Sequence, residues 1–252
     1  MATRRKTASK KTSQGATRPA WLSRLQLRPR PLLLRWLWRL AFVLASVILL
    51  VVLLYKVVNP PTTIYMLSEG RRLGAGVEYS WVSADNIAPV MLRSVVAAED
   101  ANFCNHWGFD MAAIRTAIEE GGNRGASTIS QQVVKNTFLW HGRNYIRKAL
   151  EALITPVMEA LWSKRRILEV YLNVAEFDEG VFGIGAASQH YFGIAPEALS
   201  STQSARLAAI LPDPKDRSAS KPSNYVRRRA DSIRDGAATI ARDGRAACFE
   251  RG

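Results

Sequence analysis

One segment constrains this chain before any other. Leu40–Val58 is an almost unbroken apolar run of nineteen residues, interrupted by Lys56 near its end. A helix of that length covers roughly 30 Å of hydrocarbon, so the run predicts a transmembrane helix over 40–58. The Lys56 stem can carry its ammonium out to the interface, and Trp36, Trp38 and Tyr55 stand where interfacial aromatics collect. A cleaved signal peptide would have a shorter basic lead and a small-x-small cleavage site before Asn59-Pro60-Pro61; the chain has neither, so the helix reads as an uncleaved anchor.

Charge then fixes the expected topology. Of 35 Lys and Arg, eleven fall in residues 1–39, which hold no Asp or Glu, leaving 24 basic against 21 acidic residues beyond. The formal charge of +14 therefore belongs to a tail, and a nucleic-acid partner is not expected. Residues 1–39 read as a disordered, basic cytoplasmic tail, which keeps the N-terminus inside and puts residues 59–252 outside. In a bacterial envelope this is a single-pass protein of the inner (cytoplasmic) membrane with a periplasmic domain.

Beyond the span, residues 59–88 read as a linker and irregular lead-in, punctuated by Pro60-Pro61, Gly70, Gly74 and Gly76. From Ala88 to Pro214 the periodicity is helical and strand signals are scarce. The spacing predicts helices over 88–99, over 111–120 with Asp110 as N-cap, and from a Ser127 cap to about Thr137. It also predicts helices over 144–164 (kinked or broken at Pro156), 165–173, 186–192, 196–211 and 225–242. Gly121–Gly125 reads as a mobile loop. Two cysteines, Cys104 and Cys248, lie far apart in sequence; two independent free thiols is the simpler reading, and pairing stays open.

Three constellations carry chemistry. Glu99-Asp100 ends an apolar helix with Phe103 and His106 close behind; a desolvated carboxylate there could accept a hydroxyl proton. After the glycine loop come Ser127, Thr128, Gln131, Gln132, Lys135 and Asn136. Thr128, Gln132 and Lys135 fall on one helix face and, with the N–H groups of the helix N-terminus, suit a phosphate. Arg147 and Lys148 flank Glu151 one turn on; this is either a solvated ion pair or a set of phosphate partners. His106, His141 and His190 lack metal-ligand spacing, and there is no nucleotide-binding glycine loop.

In order, these blocks resemble the peptidoglycan glycosyltransferases of glycosyltransferase family 51. The matching blocks are Glu99-Asp100-x-x-Phe103-x-x-His106-x-Gly108-x-Asp110, Gly125-Ala126-Ser127-Thr128-x-x-Gln131-Gln132-x-x-Lys135-Asn136 and Arg147-Lys148-x-x-Glu151. Ser163-Lys164-x-x-Ile167-Leu168-Glu169-x-Tyr171-Leu172-Asn173 follows, then Gly180 to Phe192 and Ala205 to Pro214. The resemblance covers roughly residues 90–215 and is nearest to the monofunctional branch, which lacks transpeptidase activity; Tyr171 to Phe177 carries that likeness.

The resemblance implies a mainly α, lysozyme-like, two-lobed glycosyltransferase domain over 89–215 and a helical extension over 216–252. It implies polymerisation of lipid II into β-1,4-linked glycan with release of undecaprenyl diphosphate. Glu99 then matches the general base and Glu151 the second essential carboxylate. Asp100, Phe103 and His106 shape the base's site, while Thr128, Gln132, Lys135 and Arg147 contact donor phosphate. Ser127, Gln131, Asn136 and Lys148 join the expected substrate site. No cofactor is built into the sequence, though a divalent cation (Mg2+ or Mn2+) is compatible with the family's chemistry. Lipid II, the nascent strand, the membrane and proteins of division or elongation are the expected partners. Asp178, Gly185 and Pro156 depart from the family pattern. On the residues alone a lytic enzyme acting on finished glycan, or an inactive envelope scaffold, stays open.

Overall fold

The computed structural model describes residues 31–121, 125, 127–142 and 144–250. The tail read over 1–39 lies outside them up to residue 30, as does most of the loop read over 121–125. The chain divides into two units, one through Val47 and one from Ile48 onward.

Helix α1 (Pro31–Tyr55) begins at Pro31 rather than Leu40 and stops at Tyr55 rather than Val58. Proline suits a first helical position, and Leu32–Leu34 and Leu37 extend the apolar sequence back past Arg35 and Arg39. From Leu32 to Tyr55 the helix is long and apolar enough to cross a membrane.

The second unit is mainly helical. The stretch expected to be irregular contains α2 (Ile64–Leu73), opened by the Thr63 hydroxyl accepting from Met66 N–H and closed by Gly74 at φ 66°. Its register was hard to read because its apolar residues Ile64–Leu67 run together at one end and Gly70 lies inside it. After strand β1 (Glu78–Tyr79) comes α3 (Pro89–Glu99), with Pro89 in its first turn and Met91, Leu92, Val95 and Val96 buried. Then follow α4 (Met111–Glu119), α5 (Ile129–Phe138), α6 (Tyr145–Leu161) and α7 (Lys164–Val174). Strands β2 (Glu176–Asp178) and β3 (Val181–Phe182) lead into α8 (Gly183–Phe192), and α9 (Ser201–Ile210) and α10 (Asn224–Arg242) complete the order.

Helices α3, α9 and α10 pack together, and α5 lies against α6 and α7. Phe103, Ile129, Met158, Ile167, Tyr171 and Phe177 are among the fully buried side chains between them. The small sheet has the order β1-β3-β2, with β1 parallel and β2 antiparallel to β3. Gly180, at φ 75°, turns a hairpin, and Gly183 starts α8 at φ 82°, three residues before the start read from the sequence, in a conformation that favours glycine.

The three departures from the family pattern have local accounts. Asp178 accepts from the Tyr191 hydroxyl at 2.8 Å and lies 3.2 Å from His190 Nε2. Pro156 neither ends nor divides α6; Ala152, whose carbonyl loses its helical partner to the proline, is exposed, so water can satisfy it. Gly185 is crowded by the segment after β1: a Cβ there would lie 2.4 Å from Ser80 Oγ and 2.7 Å from Ser80 O. Backbone cannot yield as a flexible side chain can. Gly185→Ala is therefore expected to cost about 1–3 kcal/mol, read as a lower urea midpoint; an unchanged midpoint would refute this close packing.

The cysteines are not free thiols. Cys104 and Cys248 form a disulfide with their Cα atoms 5.7 Å apart, because the chain after α10 returns across the segment 100–105. Nothing local to either cysteine could signal that return.

Candidate active site

Glu99 is the last residue of α3, where the helix carbonyls present the negative end of the macrodipole. Its Oε2 accepts from Gln132 Nε2 at 2.8 Å. Burial raises the Glu99 pKa above the ordinary glutamate range, against the Gln132 hydrogen bond and the charges of Arg229 and Lys135; Asp100 raises it further. A carboxylate so placed is, once ionised, a stronger proton acceptor than a solvated one.

The next residues build the frame around Glu99. Asp100 Oδ1 lies 2.8 Å from His106 Nε2, and its Oδ2 accepts from the Ile129 N–H at 3.0 Å. Phe103 is completely buried, with the Lys164 ammonium 4.5 Å from its ring centroid. That ammonium also donates to His106 O at 2.7 Å and pairs with Glu159 at 2.8 Å. Asp100, Phe103 and His106 thus tie the loop after α3 to the start of α5 and α7.

Helix α5 corrects part of the sequence reading. Its cap is Thr128, not Ser127, in a capping box with Gln131. The Thr128 hydroxyl donates to Gly108 O at 2.7 Å and accepts from Gln131 N–H, and the Gln131 side chain accepts from Thr128 N–H at 3.1 Å. Both are committed within the protein, and Asp100 already occupies the helix N-terminus. The groups of α5 turned toward open space are Gln132, Lys135 and Asn136. They line a cleft of about 320 Å³ together with Tyr65, His141, Tyr171, Glu176 and Lys215. A second cavity of about 210 Å³ is bounded by Glu99, Asp100, Asn102, Asp110, Ser127 and Thr128. The Glu99–Gln132 hydrogen bond joins the walls of the two.

The cleft is short of partners. Among the described residues none forms an ion pair with the Lys135 ammonium, whose pKa burial lowers. Asn136 is 7% exposed and its Oδ1 has no hydrogen-bond partner. Burial, followed by the nearby cations Lys135, Arg147 and Lys215, pushes the His141 pKa down to about 4, and its buried Nδ1 is also without a partner. An anion with hydrogen-bonding groups would complete all three.

Glu151, 2% exposed, sits beside this cleft on α6. Its Oε2 accepts from Arg147 Nη1 at 2.8 Å and its Oε1 pairs with Lys148. The Lys148 Nζ is also 3.4 Å from Ser127 Oγ, and Arg147 Nε donates to Gly142 O at 3.0 Å. One buried carboxylate therefore collects two cations of the same helix. With Glu151 so held, and Glu69 held by Arg72 and Lys215, these carboxylates do not fit a resident metal. Among the described residues no cluster of three or more His, Cys, Asp or Glu could hold one.

Residues 68–238 match the family described as Transglycosylase. The chain belongs to the transglycosylase family. A curated relative from Jannaschia sp. (strain CCS1), a "Biosynthetic peptidoglycan transglycosylase", is 62% identical over 85% of this chain and 90% of its own length. Relatives of the same description from Pseudomonas fluorescens (strain SBW25) and Caulobacter vibrioides (strain ATCC 19089 / CIP 103742 / CB 15) are 50% and 45% identical. They match over 81% and 87% of this chain and 88% and 97% of their own lengths. The transglycosylase match starts inside α2 and runs almost to the end of α10, beyond both edges of the 89–215 span expected from the motifs.

Several groups in this candidate site went unassigned in the sequence. Tyr65, which hydrogen-bonds Glu176, falls in the stretch read as a linker and gave no signal. Tyr171 and Glu176 lie in the quoted Tyr171–Phe177 block, but nothing there distinguished cleft from core. Lys215 follows Pro212-x-Pro214 and pairs with Glu69 and, at 3.5 Å, Glu176. Arg229 donates to Ala98 O at 2.9 Å, one residue from Glu99; only the packing of α10 on α3 brings it there.

Proposed function

We propose that this protein is a membrane-anchored peptidoglycan glycosyltransferase that polymerises lipid II into β-1,4-linked glycan, releasing undecaprenyl diphosphate. The observation that carries this reading is the pairing of Glu99, desolvated and held by Gln132, with a cleft whose Lys135 ammonium has no ion-pair partner among the described residues. The comparisons support the same class, since the curated relatives bear the description of biosynthetic peptidoglycan transglycosylases.

In this reading the acceptor sugar enters the smaller cavity with its 4-hydroxyl toward Glu99. Glu99 takes the proton while the 4-oxygen bonds to C1 of the donor sugar. The C1–O bond to the diphosphate breaks, and the diphosphate leaves with the electron pair. Lys135, with Arg147 and Lys148 behind it, meets the growing negative charge. Glu151 holds the latter two cations in place. Asn136 and the neutral His141 offer acceptors to hydroxyl or amide hydrogens of the donor.

Helix α1 anchors the protein where such lipid-linked substrates reside, with its N-terminus cytoplasmic and the second unit periplasmic. Tyr145, Ile146 and Leu153 on α6 are each more than 60% exposed, an apolar face suited to a lipid surface. Confining both substrates to one membrane plane raises their effective concentration.

The direct test is incubation of the detergent-purified full chain with labelled lipid II, beside a parallel incubation with finished sacculi. Polymer from lipid II is expected. Fragments released from sacculi with no polymer from lipid II would reverse the reading in favour of a lytic enzyme; activity in neither would leave an inactive scaffold.

A further inference from the structure

The loop that frames the base has a support behind it that the reaction does not touch. Between α3 and α4 the chain has little regular structure: the backbone bonds Phe103 N–H to Asp100 O and Asn105 N–H to Asn102 O close one short turn. Packing and side chains must fix the rest. After α10 the chain reverses at Gly244 and passes across the rear of this loop. Arg245 Nη1 donates to Ala101 O at 3.1 Å. Cys248 is bonded to Cys104. Phe249, fully buried, packs against Phe103 with ring centroids 6.4 Å apart. The far end is itself secured: Arg165 donates to Phe249 O at 2.7 Å, and Arg93 Nη1 to the two Glu250 oxygens at 2.8 and 3.1 Å.

We propose that this C-terminal strap, closed by the Cys104–Cys248 bond, is a positioning element that holds Asp100 and, through it, the start of α5 and Gln132 in register with Glu99. Turnover then depends on the oxidation state of one disulfide that lies outside the lining of both cavities. Two roles are separable. A disulfide that merely stabilises acts mainly by restricting the unfolded chain; opening it lowers the melting temperature but leaves a folded enzyme's rate alone. A disulfide that positions also changes the folded loop, and small displacements of catalytic groups cost rate steeply.

The consequence for rate rests on the proposed glycosyltransferase reading; the consequence for loop order does not. The test uses the full chain in detergent in three forms: oxidised, reduced with dithiothreitol, and Cys104→Ser/Cys248→Ser. Reduction moves two electrons: each sulfur gains a proton and becomes a thiol, and the dithiol reagent becomes its cyclic disulfide. Amide hydrogen exchange over residues 100–106 is followed alongside initial polymerisation rates, at a temperature well below the melting of the reduced form. Opening the bond should speed exchange in this loop by about tenfold or more while α7 stays protected. It should lower kcat about tenfold with KM within twofold, and reoxidation of the reduced protein should restore both. Unchanged exchange overturns the proposal whatever the activity. Faster exchange with unchanged kcat, or a lowered melting temperature as the sole effect, overturns it as well. If the oxidised protein makes no polymer, the functional reading fails and the exchange arm alone decides whether the strap orders the loop.

Discussion

A folded Glu99→Gln protein is expected to polymerise lipid II at least about a hundredfold more slowly than wild type, the range lost with a general base. Glutamine keeps the shape and can still meet Gln132 after an amide rotation, so melting temperature should change little. The pH profile gives the sharper check. The base works only when ionised, and burial raises its pKa; wild-type kcat should therefore fall with decreasing pH at a value above that of an ordinary glutamate. The Gln132 hydrogen bond, Arg229 and Lys135 oppose that shift, while Asp100 adds to it. Arg229→Gln removes a cation that favours the ionised form, so its acid limb should move to still higher pH, and Arg229→Lys should move it back. Wild-type rates from Glu99→Gln, or an acid limb indifferent to Arg229, would dismiss Glu99 as the base or Arg229 as its neighbour in charge.

Lys135→Met is expected to separate activity from stability with opposite signs. The substitution keeps a similar stem and removes an ammonium that is partly desolvated and without an ion-pair partner among the described residues. Losing a preorganised charge at a leaving group costs on the order of a hundredfold in kcat. Losing a partly buried charge that burial and the neighbouring Arg147 and Lys148 disfavour should leave the melting temperature equal or higher. Polymerisation rates and a thermal melt of the same preparation check both halves. A variant that loses activity and stability together would make Lys135 a structural residue instead.

The sequence made the helices with a strong apolar stripe readable: α3, α6, α7 and α10 lie within a few residues of where periodicity put them. What stayed hidden shares a physical cause. Helix α2 is short, runs its apolar residues Ile64–Leu67 together at one end and carries Gly70 inside it, so it reads as an irregular lead-in. The disulfide and Arg229 join parts of the chain more than a hundred residues apart, and no local pattern encodes such a meeting. The α5 cap was legible and misassigned: Thr128-x-x-Gln131 is a capping box, whereas Ser127 has Ser130 three residues on. The site is mixed in the same way. Residue type and spacing alone leave Glu99, Gln132, Lys135, Asn136 and the Glu151 cluster open; the order of the blocks that resemble the family is what singles them out. Which polar residues on α5 face open space and which fasten the fold depended on Gly108, Asp100 and Tyr65, whose positions the motif does not specify.

The end of α1 is written under two sets of constraints. Val52 is fully buried and its carbonyl accepts from the Trp162 indole at 2.8 Å; the Tyr55 and Val58 carbonyls accept from Arg166 at 2.9 Å. In the proposed anchor, a residue upstream of Ile48, where the described side chains are largely exposed, need only be greasy enough for lipid, and substitutions among Leu, Val, Ile and Phe should drift freely. From Val52 on, the same helix must also satisfy a tryptophan and an arginine by shape and backbone position. A stretch that looks uniformly apolar is thus permissive in its first half and exacting in its last turns, and an anchor exchanged for that of another protein has to keep the latter.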